Sequence, residues 1–444
     1  KNISKEKITF DKLKNIFGFG KTGAVGHHSG LSQSLPQSLS QSQVLAAANR
    51  PREYQLSNEQ KNDIGKKTAI SVRLKALKEL EEIVENKRLV DHATEHLIFE
   101  TIDLLDEDKP AEVRHAIWRF YKCLVRGQSE KLFDLRYKFL QLVKIHSIHD
   151  EDIPWRLDLM FALTDDGKNI EYCQNEIGVF MVNWFDKMIA ASKLTDFLKL
   201  LTNLIKYNAS SFEHDVVSDI IKKIYFKLDI IKAKEDFEPL CNLFDVIVCY
   251  SLVPKEALTM FLVVLCKGIS FIGYQKENFK PLSEFCCKIV KNLMGTKLGH
   301  SCVACLCHIL QDETNHIDIP LMKASVHILA QSFWGSKKIT GLKQTPNSIL
   351  PAFKKALECR NEHVGIEVAE SIHTLISQQS RDLSMLTWSI VLEMLEIFIH
   401  NYNMSKSSKS SDEVGNRVGN RVHLILDFIE DLIQNNEFYG DKEK

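Results

Sequence analysis

The sequence predicts an all-α fold, a right-handed α-solenoid of HEAT/armadillo-like helix pairs, and three observations carry that expectation. Only 10 prolines and 19 glycines occur among 444 residues, well under the average usage of ~5% and ~7%, so helices meet few breakers. Apolar residues recur with the helical period over ~12–20 residues at a time, and sustained strand alternation is absent. Consecutive helical segments pair off at about 40 residues, the period of HEAT and armadillo repeats. No repeat consensus recurs along the chain, so unbroken helix, short breaks and length carry the inference.

The elements follow in order. Residues 1–17 read as a short amphipathic helix with Phe10, Leu13, Ile16 and Phe17 near one face. Residues 18–50, rich in Gly, Ser and Gln, bury too little apolar area to offset the entropy of ordering and read as a low-complexity linker. The α-solenoid is expected over 51–403. Its helices fall near 56–70, 74–87, 90–105, 111–126, 129–146, 153–163, 170–189, 192–207, 212–230, 236–251, 255–270, 280–294, 297–311, 319–334, 346–358, 363–378 and 383–403. Pro110, Pro154, Pro254, Pro281 and Pro320 mark helix starts, where a missing N–H costs nothing. In "PKEALTMFLVVLCKGI", Leu258, Phe261, Leu262, Leu265, Cys266 and Ile269 fall on one broad apolar face. Residues 404–420 read as a polar loop insertion and 421–444 as a final helix with its tail. The chain opens on Lys1 and stops without a capping element, so further repeats are expected, with self-association through the open end.

Charge excludes some function classes. With 57 Lys+Arg against 58 Asp+Glu the formal net charge is −1, and a nucleic-acid binder usually shows a basic excess or stripe. The longest apolar run, residues 257–266, is shorter than the ~20 residues of a membrane span, so no transmembrane segment is expected. Eleven cysteines, most of them inside helical apolar patterns, suit a reducing cytosolic or nuclear compartment and free buried thiols, and the cytoplasm is the expected location.

Three motifs invite chemistry, and each fails on context. "GFGKTG" matches GxGxxG at Gly18, Gly20 and Gly23, but a helix precedes it and a Ser/Gln linker follows, so no nucleotide cofactor is expected. "LTDDGKNIEYC" places Ala162, Thr164 and Cys173 at the first, third and twelfth positions of a calcium loop; it reads instead as an interhelical turn, with Asp165 or Asp166 capping the next helix. "LMGTKLGHSCVACLCHILQD" gathers Cys302, Cys305, Cys307, His300 and His308. At 100° per residue Cys302, Cys305, Leu306 and Ile309 form one stripe within about 100° of arc, while Cys307 and His300 face away. Structural zinc needs four convergent ligands, so no metal site is expected there, and the stripe reads as core. No GxSxG or HExxH motif and no catalytic constellation appear.

The order of several segments carries a resemblance. "KPAEVRHAIWRFYKCLVRGQSEKL", "ALTDDGKNIEY", "LTNLIKYNAS", "FDVIVCYSLVPKEAL", "NLMGTKLGHS", "FWGSKKITGLKQTPNSILPAF" and "QNNEFYG" are similar, in sequence order, to the N-terminal region of the tuberin family, as is the opening "FDKLKNIFGFG". The resemblance runs from about Phe10 to Gly440; the Ser/Gln linker and "SKSSKSSDEVGNRVGN" depart from it. It implies a HEAT-type solenoid that binds the coiled coil of hamartin. It also implies a non-enzymatic fragment: the family's GTPase-activating domain, which acts on Rheb and restrains TOR signalling, lies far C-terminal. The rest of a tuberin chain and recruitment to lysosomal or other membranes within that complex are further implications.

Partner-contact candidates come from those stretches: Arg114, His115 and Trp118 on one helix, Lys206, Tyr207 and Asn208 at the end of another, then His300, Trp334 and Tyr439. The competing reading for Trp118 and Trp334 is inter-repeat core, because Trp is highly buried on average. Two other function classes remain beside the scaffold: a transport-receptor-like solenoid that binds cargo or peptides, and a metal- or nucleotide-dependent enzyme using the Cys/His stretch or "GFGKTG".

Overall fold

The computed structural model describes residues 53–145, 149–231, 234–270, 280–335, 338–407 and 413–434. The expected helix over 1–17, the 18–50 linker and Tyr439 lie outside them. The described residues form eighteen α-helices joined by short loops and 3-10 turns, with no strand beyond a single bridge between Tyr54 and Leu89. The chain divides into two compact units, one up to Phe212 and one from Glu213 onward.

The first unit holds α1 (Asn58–Ile64), α2 (Ile70–Asn86), α3 (Ala93–Thr101), α4 (Ala111–Gly127), α5 (Leu135–Ile145), α6 (Ile153–Leu163), α7 (Gln174–Ala190) and α8 (Leu194–Asn208). A capping box starts α1: Gln60 N–H donates to Ser57 Oγ at 3.1 Å, and Ser57 N–H to Gln60 Oε1 at 3.0 Å. Pro110 immediately precedes α4, and Pro154 sits in the first turn of α6. Helices α2, α4 and α6 pack in succession, which is the stacking of equivalent helices from neighbouring pairs.

The second unit holds α9 (His214–Lys227), α10 (Lys234–Cys249), α11 (Leu258–Ser270), α12 (Lys280–Met294), α13 (Gly299–Gln311), α14 (Ile319–Phe333), α15 (Leu350–Ala356), α16 (Glu362–Gln379), α17 (Met385–Ser407) and α18 (Glu413–Gln434). One row stacks α9, α11, α14, α16 and α18; the other pairs α10 with α12 and runs α13, α15, α17. Between α11 and α14 two helices intervene, so this repeat has three helices and α11 touches α12, α13 and α14. That position explains why Val263 and Val264 are buried along with the apolar face expected for α11.

The helical segments read from the sequence answer to these helices in order, with one correction. Residues 404–420, expected as a loop, are helical up to Ser407 and again from Glu413. The physical reason is legible afterwards: Val414, Val418, Val422, Ile425 and Ile429 keep helical spacing through the polar tandem, and Val422, Ile425 and Ile429 are buried. The repeat period also has a physical signature. Many polar contacts between neighbouring repeats join residues about one repeat apart, such as Lys122 and Asp158, 36 residues apart, and Glu313 and Lys355, 42 apart.

Candidate partner-binding surface

Helix α6 of the first unit is apolar around most of its circumference, and its two faces do different things. Ile153, Arg156, Leu157, Leu159, Met160 and Leu163 are buried. At 100° per residue, Pro154, Trp155, Asp158 and Phe161 fall on the opposite arc, and all four are only partly buried. With Leu157, Lys193 and Asp196 they line a groove of about 380 Å³. Its lining mixes aromatic and aliphatic side chains with charged ones, and the polar share of the open surface is the larger. Its edges carry both charges, Lys193 lying 3.8 Å from Asp196 and Asp158 held 2.6 Å from Lys122 of α4. The groove suits the apolar stripe of a helix flanked by charged residues.

His115 stands beside it, stacked on Trp155 with ring centroids 5.3 Å apart and its side chain 25% exposed. Its Nε2 lies 3.0 Å from Asp152 Oδ1. Asp152 is fully buried and accepts from Arg114 Nε at 2.8 Å, while Arg114 also pairs with Glu151 and donates to the Lys109 carbonyl. Burial opposes the Arg114 charge, but the bonds and charge of Asp152 and Glu151 outweigh it and hold its pKa above the ordinary arginine value.

The structure therefore separates the residues expected to meet a partner. Arg114 is a correction: only 2% exposed, it ties α4 to the turn before α6 and offers nothing to a partner. Trp118 and Trp334 are corrections of the same kind, at 0% and 1%. Trp334 donates Nε1–H to the Ser371 carbonyl at 2.9 Å and meets Phe353 edge-on, so the core reading holds for both tryptophans. Lys206 and Tyr207 are exposed, the lysine Nζ 5.3 Å above the tyrosine ring. Their neighbour Asn208 is a structural clamp, donating Nδ2–H to the Gly167 carbonyl at 2.9 Å. His300 is exposed at the start of α13 in the second unit.

A family model described as a domain of unknown function, DUF3384, matches residues 70–444. The chain belongs to that family. The tuberous sclerosis 2 protein homolog of Schizosaccharomyces pombe (strain 972) is 21% identical over 325 residues, covering 68% of this chain and 24% of the relative. This chain thus spans about a quarter of the length of the curated relative it matches. A solved structure of the TSC2 N-terminus covers 86% of this chain and 98% of its own, with a TM-score of 0.71 and 16% identity. The resemblance to the N-terminal region of tuberin is thereby supported in sequence and in fold.

Two tuberin-like stretches of this DUF3384 chain hold each other in place. Asp165, Asp166 and Gly167 all take left-handed backbone conformations, and Asn203 and Asn208 of α8 donate to the carbonyls of Asp166 and Gly167. A Cβ on Gly167 would sit 2.7 Å from Asn203 Cβ, so glycine is required twice over, by conformation and by space. Neither aspartate caps the next helix; Cys173 takes that position without a side-chain cap. On α13, Cys302, Leu306 and Ile309 are buried as expected, but Cys305 is half-buried and bonds Thr259 at 3.4 Å. The buried stripe is turned by about 50° from the expected one, taking in Val303 and Leu310. Among the described residues no group of three His, Cys, Asp or Glu is placed to hold a metal ion, and no helix is long and apolar enough to cross a membrane.

Trp155 and Phe161 were missed by sequence reasoning. The signal was present in "IPWRLDLMF", where aromatic residues occupy the arc opposite a complete core stripe.

Proposed function

We propose that this DUF3384 chain is a non-enzymatic scaffold region of a tuberin-like protein that binds the coiled coil of hamartin. In this reading it assembles and stabilises a GTPase-activating complex that acts on Rheb and restrains TOR growth signalling, in the cytoplasm or on membranes to which the complex is recruited. The activating domain belongs to another part of such a protein. The observation that supports binding is the α6 groove, whose half-exposed Trp155 and Phe161 lie between charges of both signs. Aromatic anchors in a groove are the usual energetic centre of helix recognition. His115, Lys206, Tyr207 and His300 extend the candidate surfaces.

Co-expression with the hamartin coiled coil, followed by size-exclusion chromatography and titration, tests this. The unaltered chain co-elutes, and the double variant Trp155→Ala, Phe161→Ala weakens binding by about thirty-fold, or ~2 kcal/mol. No co-elution of the unaltered chain sinks the hamartin reading. Normal binding by the double variant, with loss in Tyr207→Ala or His300→Ala, moves the surface away from the groove.

A further inference from the structure

Two thiols of the second unit face each other inside the fold. Cys241 of α10 and Cys286 of α12 lie 45 residues apart in sequence, about one repeat, and their sulfurs are 3.4 Å apart, one thiol donating to the other. Both are free thiols and both are fully buried. Helix α11 closes the site. A Cβ on Gly268 would lie 2.9 Å from Cys286 Sγ and 2.5 Å from the Phe237 ring of α10, so these side chains fill the space that a larger residue there would take. The pair is thus packed among three helices rather than displayed on a surface.

The separation decides what the pair can do. A disulfide needs its sulfurs about 2.05 Å apart, so closure asks for an approach of roughly 1.4 Å, small beside the freedom of two χ1 rotations. Contact with Cys241 first, then burial, push the Cys286 thiol well above its ordinary range. A protonated, buried thiol reacts slowly, so the pair answers sustained exposure to an oxidant. That oxidant has to be small enough to enter a packed interior, which hydrogen peroxide is and a peptide disulfide is not. The nearby thiols are placed differently: Cys287 is half-buried and about 100° around α12 from Cys286, and Cys249, two turns after Cys241 on α10, is exposed.

We propose that Cys241 and Cys286 form a reversible disulfide site oxidised by hydrogen peroxide, which staples α10 to α12. One of the two sulfurs, as its thiolate, attacks a peroxide oxygen; the O–O bond breaks, leaving a sulfenic acid and, once the departing oxygen is protonated, one water. The other sulfur attacks the sulfenic sulfur, the S–S bond forms, and the sulfenic oxygen leaves as a second water. The two thiols give up two electrons and two protons, and the peroxide takes both. A small dithiol reverses the bond by exchange. The site is separate from the groove on α6 and does not depend on the identity of any protein partner.

The test incubates the whole chain with hydrogen peroxide for hours, blocks the remaining thiols with N-ethylmaleimide and maps linked peptides by mass without reduction. The Cys241–Cys286 pair should be the predominant link. The melting midpoint should rise by about 5 °C, because a cross-link over a long loop restricts the unfolded chain, and should fall back on adding dithiothreitol. Oxidation of exposed Cys249 shows that the peroxide was active. Cys241→Ala and Cys286→Ala should each lose both the link and the rise, while Cys287→Ala keeps both. The same treatment of the unaltered chain in concentrated urea needs no variant to fold: the pair should lose its predominance there, since its proximity belongs to the fold. A folded chain with oxidised Cys249 and no Cys241–Cys286 link overturns the proposal. So does a link equally prominent in urea, or one that leaves the melt unmoved.

Discussion

The two units both bury hydroxyls, and differ in the charges they bury. Among the described residues the buried charges, Arg73, Arg114, Arg136, Asp152 and Arg156, all lie in the first unit, while the buried polar side chains of the second are hydroxyls: Ser218, Ser325, Ser332, Ser371 and Thr387. The arginines bridge elements. Arg73 donates to the carbonyl of Ile64, the last residue of α1, and takes Asp103 through two bonds of 2.8 Å. Arg136 donates to the carbonyl of Leu163, the last residue of α6, and Arg156 to Val143 near the end of α5. Helix C-termini carry unpaired carbonyls and the negative end of the dipole, which is where a guanidinium gains most. Ser325, Ser332 and Ser371 each donate to the carbonyl four residues back on their own helix, Ser332 also reaching Met294 Sδ at 3.4 Å, while Thr387 bonds Asn347. Buried guanidiniums thus tie helices of the first unit, whereas the second unit's polar ties between helices include the Trp334 indole on the Ser371 carbonyl and the partly exposed His327–Glu367 pair, alongside apolar side chains and thiols.

The largest expected effect tests that contrast. Asp152→Ala leaves the buried Arg114 without its main partner, and breaking one side of a buried pair costs roughly 3–5 kcal/mol. Ser325→Ala removes a bond within one helix and should cost no more than about 1 kcal/mol. Hydrogen exchange read helix by helix is the suitable measurement, because one unfolding free energy is ill-defined for a chain of two units. Protection should fall across α4 and α6 in the first variant while α14 and α16 keep theirs. Similar losses from both variants would erase the distinction between the units.

A smaller effect comes from two glycines. A Cβ on Gly127, at the end of α4, would lie 2.0 Å from the Val84 carbonyl oxygen, so α4 and α2 would have to separate. Gly127→Ala should destabilise the first unit by ~1–3 kcal/mol, the usual range for overpacking. On α16 of the second unit, a Cβ on Gly365 meets only Phe398 at 3.8 Å, an ordinary contact. Gly365→Ala should stabilise by ~0.5–1 kcal/mol, since alanine loses less backbone freedom in a helix. Thermal melts of the two variants should move in opposite directions.

The same contrast marks what was legible in the sequence. The helices were, because residues such as Leu258, Phe261, Leu262 and Leu265 repeat at helical spacing and prolines punctuate the starts; α18 shows that a polar tandem can hide a helix when valines keep the period. Fold class needed nothing nonlocal. The surface did, and there reading failed. Arg114 and Trp118 sit in a stretch, "VRHAIWRFY", whose alternation of charge and bulk looks exposed, yet the partner that buries Arg114 lies 38 residues away at Asp152. Asn208 looked like a free end of α8 and is spent on Gly167, 41 residues earlier. Those distances are repeat periods, carried by single polar pairs rather than by a recurring consensus, so one sequence could not display them. Trp155 carries no local mark of exposure, since Pro154 beside it signals only a helix start.

The smallest effect, and the most diagnostic, is in pH. In the first unit Glu176 of α7 is held at about 2 by hydrogen bonds from Lys144, Tyr137 and Gln141. A carboxylate lowered on folding contributes stability above its usual value near 4.5, lost as pH falls through about 2. In the second unit the sign reverses. His327, raised to about 10 by Cys287 and Glu367, contributes fully below its usual 6.5 and loses that contribution as pH rises through about 10. Lys323, from the same helix as His327, also pairs with Glu367, at 3.8 Å. Both pairs are partly exposed, so each effect should shrink as salt is added. Urea midpoints followed across pH separate the two. Glu176→Gln should converge on the unaltered chain as pH falls from 4.5 toward 2, and His327→Gln should converge as pH rises from 6.5 toward 10. A His327→Gln deficit that persists at pH 10 would mean that shape and packing, not the imidazolium, hold α14 to α16.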